Sequence, residues 1–115
     1  MHELALEHCR QITGDATPLT EAEIGRLLAT LPDWKTYYKD AEPRLEKSFK
    51  FKDFREAMAF SGQLTQVINE EDHHPVLLIE WGQVTVTWWT HKIKGLHRND
   101  FIMAAKTDEM YTKSR

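Results

Sequence analysis

The chain has 115 residues, a length that supports one hydrophobic core and excludes two. Apolar residues at 41% and aromatics at 10% exclude a disordered chain, and a formal charge of −3 excludes the strong positive charge of a nucleic-acid grip. A single cysteine, Cys9, and the absence of any long apolar run or signal-peptide pattern in "MHELALEHCRQ" lead us to expect a cytoplasmic protein with neither disulfide nor membrane span.

Residues 1–18 have no sustained period and contain Gly14, Asp15 and Pro18, so a loose N-terminal arm is expected, followed by one domain over 19–115. "LTEAEIGRLLATLP" reads as a helix. Thr20 can cap it, Glu23 can reach back to the cap, Leu19 can staple against Ile24, and Pro32 stops it. Ile24, Leu27, Leu28 and Leu31 form its apolar stripe. "WKTYYKD" and "RLEKSFKF" alternate with period 2, which puts Leu45, Lys47, Phe49 and Phe51 on one side and Glu46, Ser48 and Lys50 on the other. The intervening "DAEP" is turn chemistry, so these two strands form a hairpin. From Asp53 the period becomes helical: Asp53 with Glu56 resembles a capping box, and Phe54, Ala57, Met58, Ser61, Leu64 and Ile68 mark the buried face. This helix must end before Pro75, which disfavours helical backbone in the residue ahead of it. "VLLIEW" and "QVTVTWWTH" follow as strands joined around Gly82, the second made almost wholly of β-branched and aromatic residues. Gly95 breaks the chain, and a last helix carries Phe101, Ile102, Ala105 and Met110. The order α-β-β-α-β-β-α predicts an α+β fold with a four-stranded antiparallel sheet covered on one face by helices.

The stretch "NEEDHHP", 69–75, sets two adjacent histidines where the second helix hands over to the third strand. In extended chain, neighbours point to opposite sides, so His73 and His74 have different parts to play. With Gly82 at the centre of the hairpin, the end of the fourth strand lies beside the start of the third, which brings His91 to the "DHHP" corner. Imidazole, with an ordinary pKa of about 6.5, both gives and takes protons near neutrality. Glu70, Glu71 and Asp72 favour its charged form, and Trp81, Trp88 and Trp89 offer flat apolar surface. The pattern points to acid–base catalysis on a flat polar substrate of little charge. The competing explanation is a solvated helix end with surface histidines, as His2 and His8 are read. Zinc is disfavoured because Cys9 is remote in sequence and no H-x3-H or C-x2-C spacing occurs. A nucleophile relay lacks its elbow motif.

The pieces "DHHP" at 72–75, Trp81, "VTVTWWTH" at 84–91 and "KGLHRNDFIMAA" at 94–105 resemble the pterin-4a-carbinolamine dehydratases, in particular the bacterial type that accompanies phenylalanine hydroxylase. "LPDW" at 31–34 and "FKFKDFREAMAF" at 49–60 extend the resemblance over about 19–110. It implies dehydration of 4a-hydroxytetrahydrobiopterin to quinonoid dihydropterin, with His73 and His91 exchanging protons at the reacting centre and His74 positioning the pterin. Asp72, Trp89, Thr90 and Lys92 would hold the ring. The pterin is the substrate, so no cofactor and no metal is implied, and a homodimer or homotetramer is. The alternative within the same fold is a non-catalytic dimerisation or assembly cofactor for a protein partner, a role that predicts loss of the histidines. Two departures stand out. Asn69 occupies a position that is commonly acidic, where Glu70 or Glu71 would have to substitute. His97 replaces the usual Ser or Thr cap of the last helix, which would shift the cap to Asn99 and leave Asp100 as a structural acid of the first turn.

Overall fold

The computed structural model describes residues 2–114. Helix α1 spans Glu21–Leu28 and starts on a complete capping box: the Thr20 side chain accepts from the Glu23 N–H, and the Glu23 carboxylate accepts from the Thr20 N–H. Strands β1, Lys35–Lys39, and β2, Glu42–Lys50, form the expected hairpin. Its two-residue turn places Asp40 and Ala41 at positive φ, the backbone that matches hairpin twist. Helix α2, Phe54–Glu71, has Asp53 as its N-cap. Strands β3, Val76–Glu80, and β4, Gln83–Trp88, form the second hairpin, and helix α3, Arg98–Lys113, closes the chain. The sheet is antiparallel with order β1-β2-β4-β3. An α+β fold with its four-stranded antiparallel sheet is therefore present.

Alternation decides which side chains meet the helices. Leu45 and Phe49 of β2 and Val84, Val86 and Trp88 of β4 point into the core, where α2 contributes Ala57, Phe60, Leu64 and Ile68. Helix α3 adds Phe101 through Ala105, all buried. Burial of this one apolar layer, at roughly 25 cal/mol per Å², is the main stabilising term.

Four sequence expectations differ from the structure. Phe54 and Met58 are exposed, and Phe60, which was not in the stripe, fills the core in their place. The buried set 57, 60, 61, 64 and 68 is an i, i+3, i+4 face, and the two exposed residues are not part of it. The fourth strand stops at Trp88, before His91, because Thr90 bridges to Gly95 and the chain turns through a 3-10 segment, His91–Ile93. A side chain at Gly95 would meet Pro18 Cβ at 2.8 Å, so only glycine permits that bridge. The cap of α3 does not move to Asn99: His97 itself accepts from the Asn99 N–H, and Asp100 accepts from the His97 N–H. Finally, the segment read as a loose arm contains a 3-10 turn at Glu3–Leu6, with buried Leu4 in the core, and is tied to α3 by Lys106 Nζ donating to the Ala5 carbonyl.

Candidate active site

Where α2 hands over to β3, Asp72 adopts the left-handed conformation, φ 52 and ψ 44. Aspartate tolerates that backbone better than most residues, and the reversal aims the next side chain inward. His73 is therefore buried, its side chain 10% exposed. Its ring stacks on Trp88 with centroids 5.8 Å apart and planes within 7°. His73 Nε2 lies 2.6 Å from Asp100 Oδ1, and Asp100 is 0% exposed. That carboxylate also accepts from Thr90 Oγ1 at 2.8 Å and from the His97 N–H at 2.9 Å. A carboxylate receiving these donors is an acceptor toward the imidazole too, so the His73 proton sits on Nε2 and Nδ1 is left as the second ring nitrogen.

His91 is held in another way. Its side chain is 76% exposed on the 3-10 turn, and Nδ1 donates to Glu42 Oε1 at 2.9 Å. His74 is exposed beside His73. All three histidines line one cleft of about 680 Å³, together with Asp72, Trp89, Thr90 and Lys92. That size suits a small planar ligand. Every residue singled out from the sequence as catalytic or ring-holding thus borders one cavity. Some are already engaged: the Thr90 hydroxyl serves Asp100, Lys92 Nζ donates to the Ile12 carbonyl, and Trp89 lies under the Arg44 guanidinium at 3.8 Å.

Other expectations need correcting. The carboxylates that meet the imidazoles are Asp100 and Glu42, from distant segments, in place of Glu70 and Glu71. Glu71 binds the N-terminal arm, accepting from the Cys9 N–H at 2.7 Å and pairing with His8 at 2.7 Å. Burial raises the Glu71 carboxyl, but the Cys9 N–H, His8 and Lys106 outweigh it and hold the group below its ordinary 4.5. Trp81 is exposed at the β3–β4 turn and does not border the cleft, so it offers no surface there. Cys9, remote in sequence, does border it. Burial, followed by the Glu71 charge, pushes its thiol up to about 12, which keeps it an unreactive thiol. Among the described residues no cluster of three His, Cys, Asp or Glu side chains is arranged to hold a metal.

Sequence reading missed the arm as a wall of the site. Cys9, Arg10, Gln11 and Ile12 line the cleft, and Asn99 locks them in place, its Oδ1 accepting from the Arg10 N–H and its Nδ2 donating to the Arg10 carbonyl. No period or motif in residues 8–12 signals this. In sequence Asp100 reads as a first-turn acid, and only its spacing from His73 hints at the contact between them. Burial pushes the neighbouring His97 imidazole below its ordinary 6.5, and the His73 and Arg10 charges add to that while Asp100 opposes it.

The family model described as Pterin 4 alpha carbinolamine dehydratase matches residues 17–110. A relative from Marinobacter nauticus, whose name places it among the pterin-4-alpha-carbinolamine dehydratases, is 48% identical over 111 residues, which are 96% of this chain and all of the relative. A crystal structure from Brucella melitensis, described as a transcriptional coactivator/pterin dehydratase, is 34% identical and superposes with a TM-score of 0.75 over 82% of this chain and 98% of its own. A pterin dehydratase-like protein described as a RuBisCO assembly factor of the alpha-carboxysome shares the fold alone, at 22% identity and a TM-score of 0.59 over 69% of this chain and 89% of its own.

Proposed function

Because the chain belongs to the pterin-4-alpha-carbinolamine dehydratase family and is a dehydratase of the lyase class, we propose that its cleft removes water from 4a-hydroxytetrahydrobiopterin by histidine acid–base catalysis. The observation that carries the reading is the paired anchoring of His73 and His91. Each gives one ring nitrogen to a carboxylate, and each keeps the other for the substrate. Elimination breaks the bond from C4a to its hydroxyl, which leaves as water after accepting a proton. The N5 proton departs to a base, and the electron pair it leaves forms the C4a–N5 double bond of the quinonoid product. No electrons are exchanged with a second reagent, and the pterin enters as substrate. One imidazolium and one neutral imidazole meet the two proton demands. His74, with Asp72, Trp89, Thr90 and Lys92, positions the ring.

The same proposal includes recycling of the pterin used by phenylalanine hydroxylase and a homodimeric or homotetrameric state. Val76 and Leu78, exposed on edge strand β3, are apolar surface that such an assembly would cover. Stopped-flow dehydration of 4a-hydroxytetrahydrobiopterin tests the chemistry. His73→Ala and His91→Ala should each slow kcat by roughly 10²-fold or more, the scale of general acid–base catalysis. Full activity in either variant would remove that residue from the reaction.

A further inference from the structure

We propose that Glu42, at the start of β2, is a positioning residue for His91, fixing the tautomer and direction of its imidazole. The proposal rests on the reading of His91 as a proton-transfer group. Glu42 belongs to none of the motifs that single out the site, and nothing in the period-2 pattern marks it. Its placement follows from the fold. Leu45 of β2 stands opposite Trp88, the last residue of β4, and the 3-10 turn that follows brings His91 to the start of β2, where its Nδ1 lies 2.9 Å from Glu42 Oε1. The tight turn at Asp40 and Ala41 begins β2 just early enough to supply Glu42 there.

Two features single the contact out. Glu42 is 8% exposed, unusual for a carboxylate beside a hairpin turn, and its Oε1 meets His91 Nδ1. His91 in turn is largely exposed on a short 3-10 turn, where an imidazole otherwise samples several rotamers and both tautomers. A carboxylate accepts only, so its bond to Nδ1 assigns the fixed proton to Nδ1 and the exchangeable position to Nε2. Nε2 is then a base when the ring is neutral and an acid when it is charged. Arg44, next on the same side of β2, rests its guanidinium 3.8 Å from the Trp89 ring centroid, so the start of this strand props two wall residues of the cleft, Trp89 and His91.

The test pairs 15N NMR of the His91 ring, recorded at alkaline pH, with stopped-flow kinetics on wild type, Glu42→Ala and Glu42→Gln. The wild type should carry its proton on Nδ1. Glu42→Ala should move it to Nε2 and lower kcat at least 10-fold, as a mis-set tautomer does, with KM within about twofold. Glu42→Gln keeps an acceptor oxygen of the same reach and should retain the tautomer and most of kcat; it also separates positioning from folding. An unchanged tautomer in Glu42→Ala overturns the proposal, as does a changed tautomer with full kcat while His91→Ala is inactive. Full kcat in His91→Ala as well would instead overturn the proton-transfer reading and leave the Glu42–His91 coupling to the NMR result.

Discussion

The two ends of the cleft prepare the same side chain by opposite means. His73 is packed against Trp88 and bound to a fully buried carboxylate that also organises Thr90 and the first turn of α3. His91 stands largely in solvent on a short turn and depends on one bond to Glu42. The buried imidazole is therefore inseparable from the stability of the fold, whereas the exposed one can be altered with little structural cost. A planar substrate would meet a rigid partner on one side and an adjustable partner on the other.

The largest effect expected from breaking this contrast is at Asp100. Asp100→Ala removes the acceptor for His73, Thr90 and the His97 N–H together, and should cost about 3 kcal/mol of stability, since each buried donor left unpaired costs 1–3 kcal/mol before relaxation. Urea unfolding reads the stability loss, and kcat should fall with it. On the exposed side, His91→Ala unpairs only the Glu42 carboxylate and should cost about 1 kcal/mol, well below the loss in Asp100→Ala. Equal stability losses in the two variants would erase the distinction.

A smaller effect is expected at the arm. Glu71→Gln weakens the bonds to His8 and the Cys9 N–H, and should raise KM about fivefold with kcat little changed, the equivalent of about 1 kcal/mol of lost hydrogen bonding. The pH response follows from the same contacts. The folded Glu71 carboxyl titrates below its ordinary 4.5, so its stabilisation is present above about 4.5 and is lost as pH falls through the lower folded value. Limited proteolysis between residues 7 and 12 should accordingly speed up in that acid window.

The smallest effect is at His97. Its folded imidazole titrates below its ordinary 6.5, so the stability tied to the neutral cap is present above 6.5 and declines as pH drops through the lower folded value. His97→Ser replaces it with a cap that does not titrate. Urea midpoints compared at pH 7.5 and 5.5 should fall less in His97→Ser than in wild type, and an equal fall would remove His97 from the acid response.

Much of this was legible in the sequence because it depends on local chemistry. Thr20 and Glu23 announced α1, and period 2 in "RLEKSFKF" and "VTVTWW" announced the sheet and its core face. The hairpin centred near Gly82 brought His91 toward His73 without knowledge of the register. What escaped is long-range. Asp100 meets His73 across 27 residues, Glu42 meets His91 across 49, and Glu71 meets the arm across about 60. A carboxylate looks the same in sequence whether it faces water or an imidazole, and only the packed sheet decides. Likewise Phe54 and Met58 fit a helical stripe in composition, while the orientation of α2 on the sheet gave the buried place to Phe60.

On the proposed mechanism, one pterin ring lies between two imidazoles of different origin. A crystal structure of the protein with a non-reactive reduced pterin measures it directly. The expected result is N5 within hydrogen-bonding reach, directly or through one water, of one of His73 Nδ1 and His91 Nε2, the other facing the side of C4a that carries the hydroxyl in the substrate, with the arm residues 9–12 closing over the ring. A pterin bound elsewhere, or one seated here with either imidazole turned away from that edge, would contradict it.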